Sequence, residues 1–315
     1  MRQSLPVRAV DHHLACCTAA CAVLVALGVG REQTSQPSAE PQGWQIVCEL
    51  QDARIKEASG LAASRLNPEC YYVHNDSGDA ARVFLVDRTG RTRVEIRLLG
   101  VMAADCEDVA LTPAVGSGIW DVCLADIGDN NARRPYVAIY RFAEVDARST
   151  AGPVVEVKPQ VYLLRYEDGP ADAEAFCVDP KSGDGYVLTK SLSGRSAVYR
   201  LRAPWQAGQI MTVPRHCTLE LPQAPYGSRI ITGADVSPDG RRLALRCWVD
   251  GWEWVLPEGM PFESIFSVRP RRVSLPAEPQ PEAVCYSADG HTLLTVSEGL
   301  NPTLYETPVA ERPSP

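Results

Sequence analysis

From Trp44 to Val309 the chain is written in short apolar runs separated by turns rich in Asp, Pro and Gly, and apolar residues do not recur at helical spacing. Five segments share one pattern, an acid leading a short apolar strand. They are EASGLAAS from Glu57, EDVALTP with Asp108, EAFCVDP from Glu174, ADVSPDG with Asp235, and EAVCYSADG from Glu282. They recur at intervals of roughly 50–65 residues, close to the ~40–50 of a four-stranded propeller blade with loop insertions. The turns DPKSGDG, SPDG and SADG carry hairpin chemistry and lead into second strands. Those strands are CYYVHND, IWDVCLAD, GYVLTK, RLALRCW and HTLLTVSE; RVFLVD, YVAIYRF, AVYRLRA and TLYETPV read as third strands, and TRVEIRLL, VYLLRY and HCTLEL as fourth. The last repeat ends after its third strand, while an orphan strand, WQIVCEL, precedes the first. Pairing the two closes the ring and removes an open sheet edge. The pattern therefore predicts an all-β propeller of five four-stranded blades. Six is the competing reading, because the stretches 221–231 and 249–280 are long.

Composition narrows the class. Hydrophobic residues make up 45% and charged residues 22% of 315 residues, which excludes a disordered chain and a multi-span membrane protein. A formal charge of −8 without a basic block argues against nucleic acid or an anionic membrane as partner. Residues 1–30 read as a signal peptide, since the apolar run from Leu14 to Gly30 is shorter than the ~20 residues of a spanning helix. An N-terminal anchor is the alternative. A polar linker over 31–43 and a propeller domain over 44–315 follow, so the expectation is a monomer that is secreted or held in the periplasm or cell envelope. Eight cysteines lie beyond the leader, with no CxxC pair and several inside apolar strands. They read as buried free thiols, although an exported chain allows disulfides.

In a propeller the first strand of each blade lines the central channel, and the start of strand one faces the same way as the end of strand two. Glu57, Asp108, Glu174, Asp235 and Glu282 are therefore expected around one channel mouth, with Glu107 and Asp172 beside them. His74, Asp76 and Asp79 of HNDSGD, Asp126 and Asp129 of ADIGDNN, Lys190, Arg246 and Glu298 face the same end. Carboxylates crowded in this way raise one another's pKa, and a hard cation resolves the conflict. Oxygen-only ligands favour Ca²⁺, with Glu57, Asp108, Glu174, Asp235 and Glu282 as its ligands. The competing reading has the same acids accepting backbone N–H groups and pairing with Arg246 and Lys190. HNDSGD is also plain turn chemistry, and Trp248, Trp252 and Trp254 read as packing. Neither a G-x-S-x-G elbow nor a P-loop is present, and HExxH is likewise missing.

EASGLAAS, HNDSGD, the ED of DCEDVAL, DIGDN, DAEAFCVDP, TGADVSPDG and SEG occur in order from Glu57 to Glu298. With them the chain resembles a family of exported bacterial β-propeller proteins that has no settled reaction. Phytase-like and lactonase-like propellers are its more distant relatives. The acid ring is also similar in architecture to the calcium-activated apyrases. One departure is Cys106, where the family pattern carries an aromatic residue between the acids of D-x-E-D.

Two functions follow from these observations. In one, the protein is a Ca²⁺-dependent hydrolase of phosphate esters or lactones, in which His74 or Asp76 moves the proton and Lys190 and Arg246 stabilise developing negative charge. In the other, the same face is a non-catalytic module that binds a carbohydrate, a peptide or a cell-envelope component, and the ion is structural.

Overall fold

The computed structural model describes residues 43–114, 119–225 and 227–309, so the leader read over 1–30 and all but the end of the linker lie outside the described residues. Apolar runs bounded by turn residues become strands throughout. The orphan strand is β1 (Gln45–Glu49). Blade one is β2 (Ala58–Ala63), β3 (Cys70–Asn75), β4 (Arg82–Asp87) and β5 (Thr92–Leu98). Blade two begins with β6 (Cys106–Pro113), β7 (Trp120–Asp126) and β8 (Val137–Ala143); the chain then makes β9 (Val154–Val157) before returning for the fourth strand, β10 (Gln160–Tyr166). Blade three repeats that course with β11 (Ala173–Val178), β12 (Gly185–Thr189) and β13 (Arg195–Leu201), then β14 (Ile210–Val213), then its fourth strand β15 (Arg215–Glu220). Blade four is β16 (Ile231–Val236), β17 (Arg242–Cys247), β18 (Gly251–Val255) and β19 (Arg271–Val273). Blade five is β20 (Pro281–Tyr286), β21 (Thr292–Ser297) and β22 (Thr303–Pro308), completed by β1.

Five blades are present, and β1 pairs antiparallel with β22, so the N-terminal strand closes the ring as the pattern predicts. The long stretch 249–280 needs no sixth blade. It supplies β18, a 3-10 turn over Phe262–Ser267, and the short β19. What the pattern does not reveal is the use of β9 and β14. Each lies parallel to the fourth strand of the preceding blade, β5 and β10 respectively, and covers that otherwise open edge.

Burial follows position in the blade. The inner strands β2 and β11 are buried at every residue, because they are packed between neighbouring blades, whereas the outer β15 buries one residue, Leu219. The core lies between blades. Ala175, Leu188 and Val198 of blade three pack with Leu245, Trp252 and Trp254 of blade four, which assigns two of the three clustered tryptophans to packing. Trp248 is half-exposed. All eight cysteines of the domain are free thiols, five of them buried.

A β-bulge interrupts strand one of every blade near its start, each time with the register slipping by one residue. The bulged residues are Ser59, Glu107, Glu174, Thr232 and Glu282, and they are the true equivalents. This corrects the repeat alignment. Glu57 lies two residues before its bulge, Asp108 one after, and Asp235 three after, so the five acids read as one ring occupy four levels of the channel.

Candidate functional site

Level decides what each acid touches. Asp108 lies below the bulge and is buried, and its carboxylate accepts N–H groups from Val109 at 2.8 Å, Phe176 at 2.9 Å and Ala234 at 3.2 Å. Those donors belong to blades two, three and four, so this one side chain closes the channel and ties three blades. Asp235, deeper still, accepts from Val236 and from Tyr286 of blade five, both at 2.8 Å. Burial pushes its carboxyl up to about 6, against the pull of those N–H groups. Both acids are used as the structural reading of the sequence anticipates.

At the bulge level, two blades carry hydroxyls that fix their neighbours. Ser59 Oγ donates to the Glu107 carbonyl at 2.9 Å, and Thr232 Oγ1 donates to the Glu282 carbonyl at 2.9 Å. Glu174 is buried and receives Lys190 Nζ at 2.5 Å. Burial raises the Glu174 carboxyl to about 7 despite that ammonium, and the carboxylate holds the Lys190 pKa up in turn. Glu282 is half-buried; its carboxyl is pushed well up by burial and by the charges of Glu174 and Glu298.

Around Glu107 three carboxylates converge. Asp76 follows β3, Asp105 precedes β6, and Glu107 is the bulge of β6; one oxygen from each lies within 4.8 Å of the others. Glu107 is only 4% exposed, yet its carboxylate has no hydrogen-bond partner among the described residues, and it faces Asp76 and Asp105. Burial is the first cause that drives its pKa well up, with the charges of Glu174, Asp76 and Asp105 behind it. Asp105 is raised to about 6, chiefly by burial and then by Asp76 and Asp172. A second feature makes room for the cluster. A Cβ at Gly128 would lie 2.2 Å from Glu107 Oε1 and 2.5 Å from Asp105 Oδ2, so the cradle exists only because that residue is glycine. A hard cation fits this donor set, because none of the three forms an ion pair among the described residues, and Lys190 and Arg134 act on them only through space.

The motifs therefore divide their labour. In HNDSGD, Asn75 Oδ1 accepts the N–H groups of Lys56 and Glu57, Asp79 pairs with Arg82 at 2.7 Å, and Asp76 alone joins the cluster. His74 is 1% exposed, and its Nδ1 lies 2.9 Å from the Asn75 carbonyl. Its Nε2 fills the space above Gly60, and burial lowers its pKa to about 4. Arg246 occupies the same ladder position in blade four, opposite Gly233, and is fully buried. Its Nη2 donates to the Pro276 carbonyl and to Glu278, both at 3.0 Å. Asp105, the first acid of the D-x-E-D motif, is the residue to which sequence reasoning gives no ligand role. The signal that finds it is D-x-E, two acids one residue apart on extended chain entering a channel strand.

No protein-family model matches the chain, and no curated protein matches it in sequence. Among solved structures, a gluconolactonase from Xanthomonas campestris is similar at 14% identity and a TM-score of 0.44. The similarity covers 80% of this chain and 72% of that protein. A likeness of that degree carries no argument about reaction or residues.

Proposed function

We propose that this propeller is an exported hydrolase of lactones or similar neutral esters, working at a divalent-cation site formed by Asp76, Asp105 and Glu107. The observation that carries the reading is the cluster itself, three carboxylates that share one small space, none of them ion-paired among the described residues. Charge favours a neutral substrate over a phosphate ester. Asp172, Glu174, Glu282 and Glu298 act electrostatically on the cluster or its neighbours, and Lys190 and Arg134 are cations that act against them. A phosphate dianion would enter against that surplus.

A bound Ca²⁺ would polarise a carbonyl oxygen and lower the pKa of a coordinated water. The chain's own groups supply the rest. Asp76, half-buried at the rim, would hold the cation through one carboxylate oxygen and would take a proton through the other from the water that attacks the carbonyl carbon. That proton returns to the alkoxide when the ring C–O bond breaks. Lys190, held by Glu174, keeps N–H donors free for the developing oxyanion. His74 and Arg246 are buried and serve the channel wall in this reading. The apolar run Leu14–Gly30 makes export part of it.

The test compares γ- and δ-lactones with p-nitrophenyl phosphate, using the full chain in chelated buffer and after addition of Ca²⁺ or Mg²⁺. Lactone turnover that needs the cation and falls at least about 100-fold in Asp105→Asn is expected. Turnover of the phosphate ester alone, or lactone turnover indifferent to chelation, would refute the proposal.

A further inference from the structure

The DIGDN segment reaches beyond the cluster. Asp126, at the end of β7, is 1% exposed and uses both carboxylate oxygens on the chain entering β6. Oδ1 accepts the Asp105 N–H at 3.0 Å, and Oδ2 accepts the Ala104 N–H at 3.1 Å. Tyr140 Oη donates to Oδ2 at 2.9 Å. Arg134 completes the arrangement from the far end of the same loop. Its Nη2 lies 2.8 Å from Asp126 Oδ1, while its Nη1 donates to the Gly128 carbonyl at 2.7 Å. The Gly128 N–H in turn donates to the Asp105 carbonyl at 3.1 Å. Both backbone polar groups of Asp105 are thus held by this loop, and the guanidinium fixes the glycine that gives Asp105 and Glu107 their room. The loop is itself anchored. Asp129 accepts the N–H groups of Arg133 and Arg134 at 2.9 and 2.7 Å, and its own N–H donates to Asp172 Oδ1 at 2.8 Å.

We propose that Asp126 and Arg134 are positioning residues for the cation site, setting its affinity by fixing the Asp105 main chain and the Gly128 cradle. The inference rests on the cation reading above, and neither residue is a ligand in it. Partners that orient metal ligands typically govern affinity by roughly 10–100-fold. Asp126→Asn keeps the size of the side chain but leaves one oxygen for two N–H groups and removes the charge that Arg134 meets. Arg134→Lys keeps the charge but cannot span Asp126 and the Gly128 carbonyl together.

Titration of the full chain with Ca²⁺ and with Mg²⁺ by calorimetry, alongside thermal unfolding in chelator, tests this. The expected result is at least a 10-fold loss of affinity in Asp126→Asn, and a smaller loss in Arg134→Lys than in Arg134→Met. Unfolding temperatures in chelator should stay within a few degrees of wild type. A wild type that binds neither cation sinks the site and this inference with it. Binding by the wild type that Asp126→Asn matches overturns the positioning role alone. An Asp126→Asn protein already unfolded in chelator, with Arg134→Lys and Arg134→Met binding like wild type, also overturns it, because Asp126 is then only a structural joint.

Discussion

Replacing Asp108 with alanine isolates what holds the channel together. The carboxylate is buried and accepts three backbone N–H groups, from Val109, Phe176 and Ala234, which lie on the channel edges of three different inner strands. Strand-one residues at this level have no further strand to pair with on the channel side, so the loss leaves three buried donors without an acceptor. At about 1–3 kcal/mol for each unsatisfied group, the gross penalty is roughly 3–9 kcal/mol. Two effects reduce it. Burial pushes the Asp108 carboxyl well above its ordinary range, so the side chain itself is costly to bury, and water can enter the vacated space. A net loss of about 3–5 kcal/mol follows. With 2–3 °C per kcal/mol for a domain of this size, the melting temperature should fall by roughly 6–15 °C. Asp235→Ala removes two such bonds, to Val236 and Tyr286, and should fall by about two-thirds as much. The assay is thermal unfolding followed by circular dichroism, with and without added Ca²⁺. Asp108→Ala should keep a Ca²⁺-dependent rise in melting temperature, because Asp108 is not in the cluster. Melting within 2 °C of wild type would refute the reasoning, showing that water replaces the carboxylate without penalty.

Three further outcomes are expected. Asp105 is raised to about 6 and Glu107 well above its ordinary value, so the fold favours their neutral forms. Their contribution to stability without a cation is greatest at low pH and fades as pH rises, for Asp105 through about 6. A cation must displace those protons, so the Ca²⁺-induced rise in melting temperature should grow between pH 5 and pH 7.5, and a shift constant with pH would contradict the assignment. Gly128→Ala puts a Cβ against Glu107 and Asp105, and calorimetry should show Ca²⁺ affinity reduced at least about 10-fold. Lys190→Met strips Glu174 of its ammonium, so its carboxyl should rise above about 7. Steady-state kinetics should then show kcat for lactones falling roughly 100-fold while Ca²⁺ affinity does not fall, since a charge that repels the cation is removed; an unchanged kcat rules out Lys190 as the oxyanion donor.

Much of the architecture was legible in the chain. Short apolar runs, Asp-Pro-Gly turns and a repeated acid-led strand predict the blades, and an orphan strand at one end matched to a missing strand at the other predicts the closure that β1 and β22 make. These features are local, and turn chemistry and strand length act over a few residues. The covering strands β9 and β14 were not legible, because their partners lie in the preceding blade and leave no mark on the run itself.

The site divides along the same line. Sequence alone determined that acids would gather at one end of a propeller channel, since the antiparallel course of successive strands sends the start of strand one and the end of strand two to one face. Only the tertiary structure decided which acids do what. A bulge of one residue in each inner strand shifts every following side chain by one position, and a strand repeats every two residues, so a small slip reverses what faces the channel. By that slip Asp108 and Asp235 become joints between blades, Glu174 becomes the partner of Lys190, and Glu107 meets Asp76 and Asp105 over a glycine. Residue types record the chemistry available to the channel, and the register of five bulges, set by packing between blades, determines where each group is used.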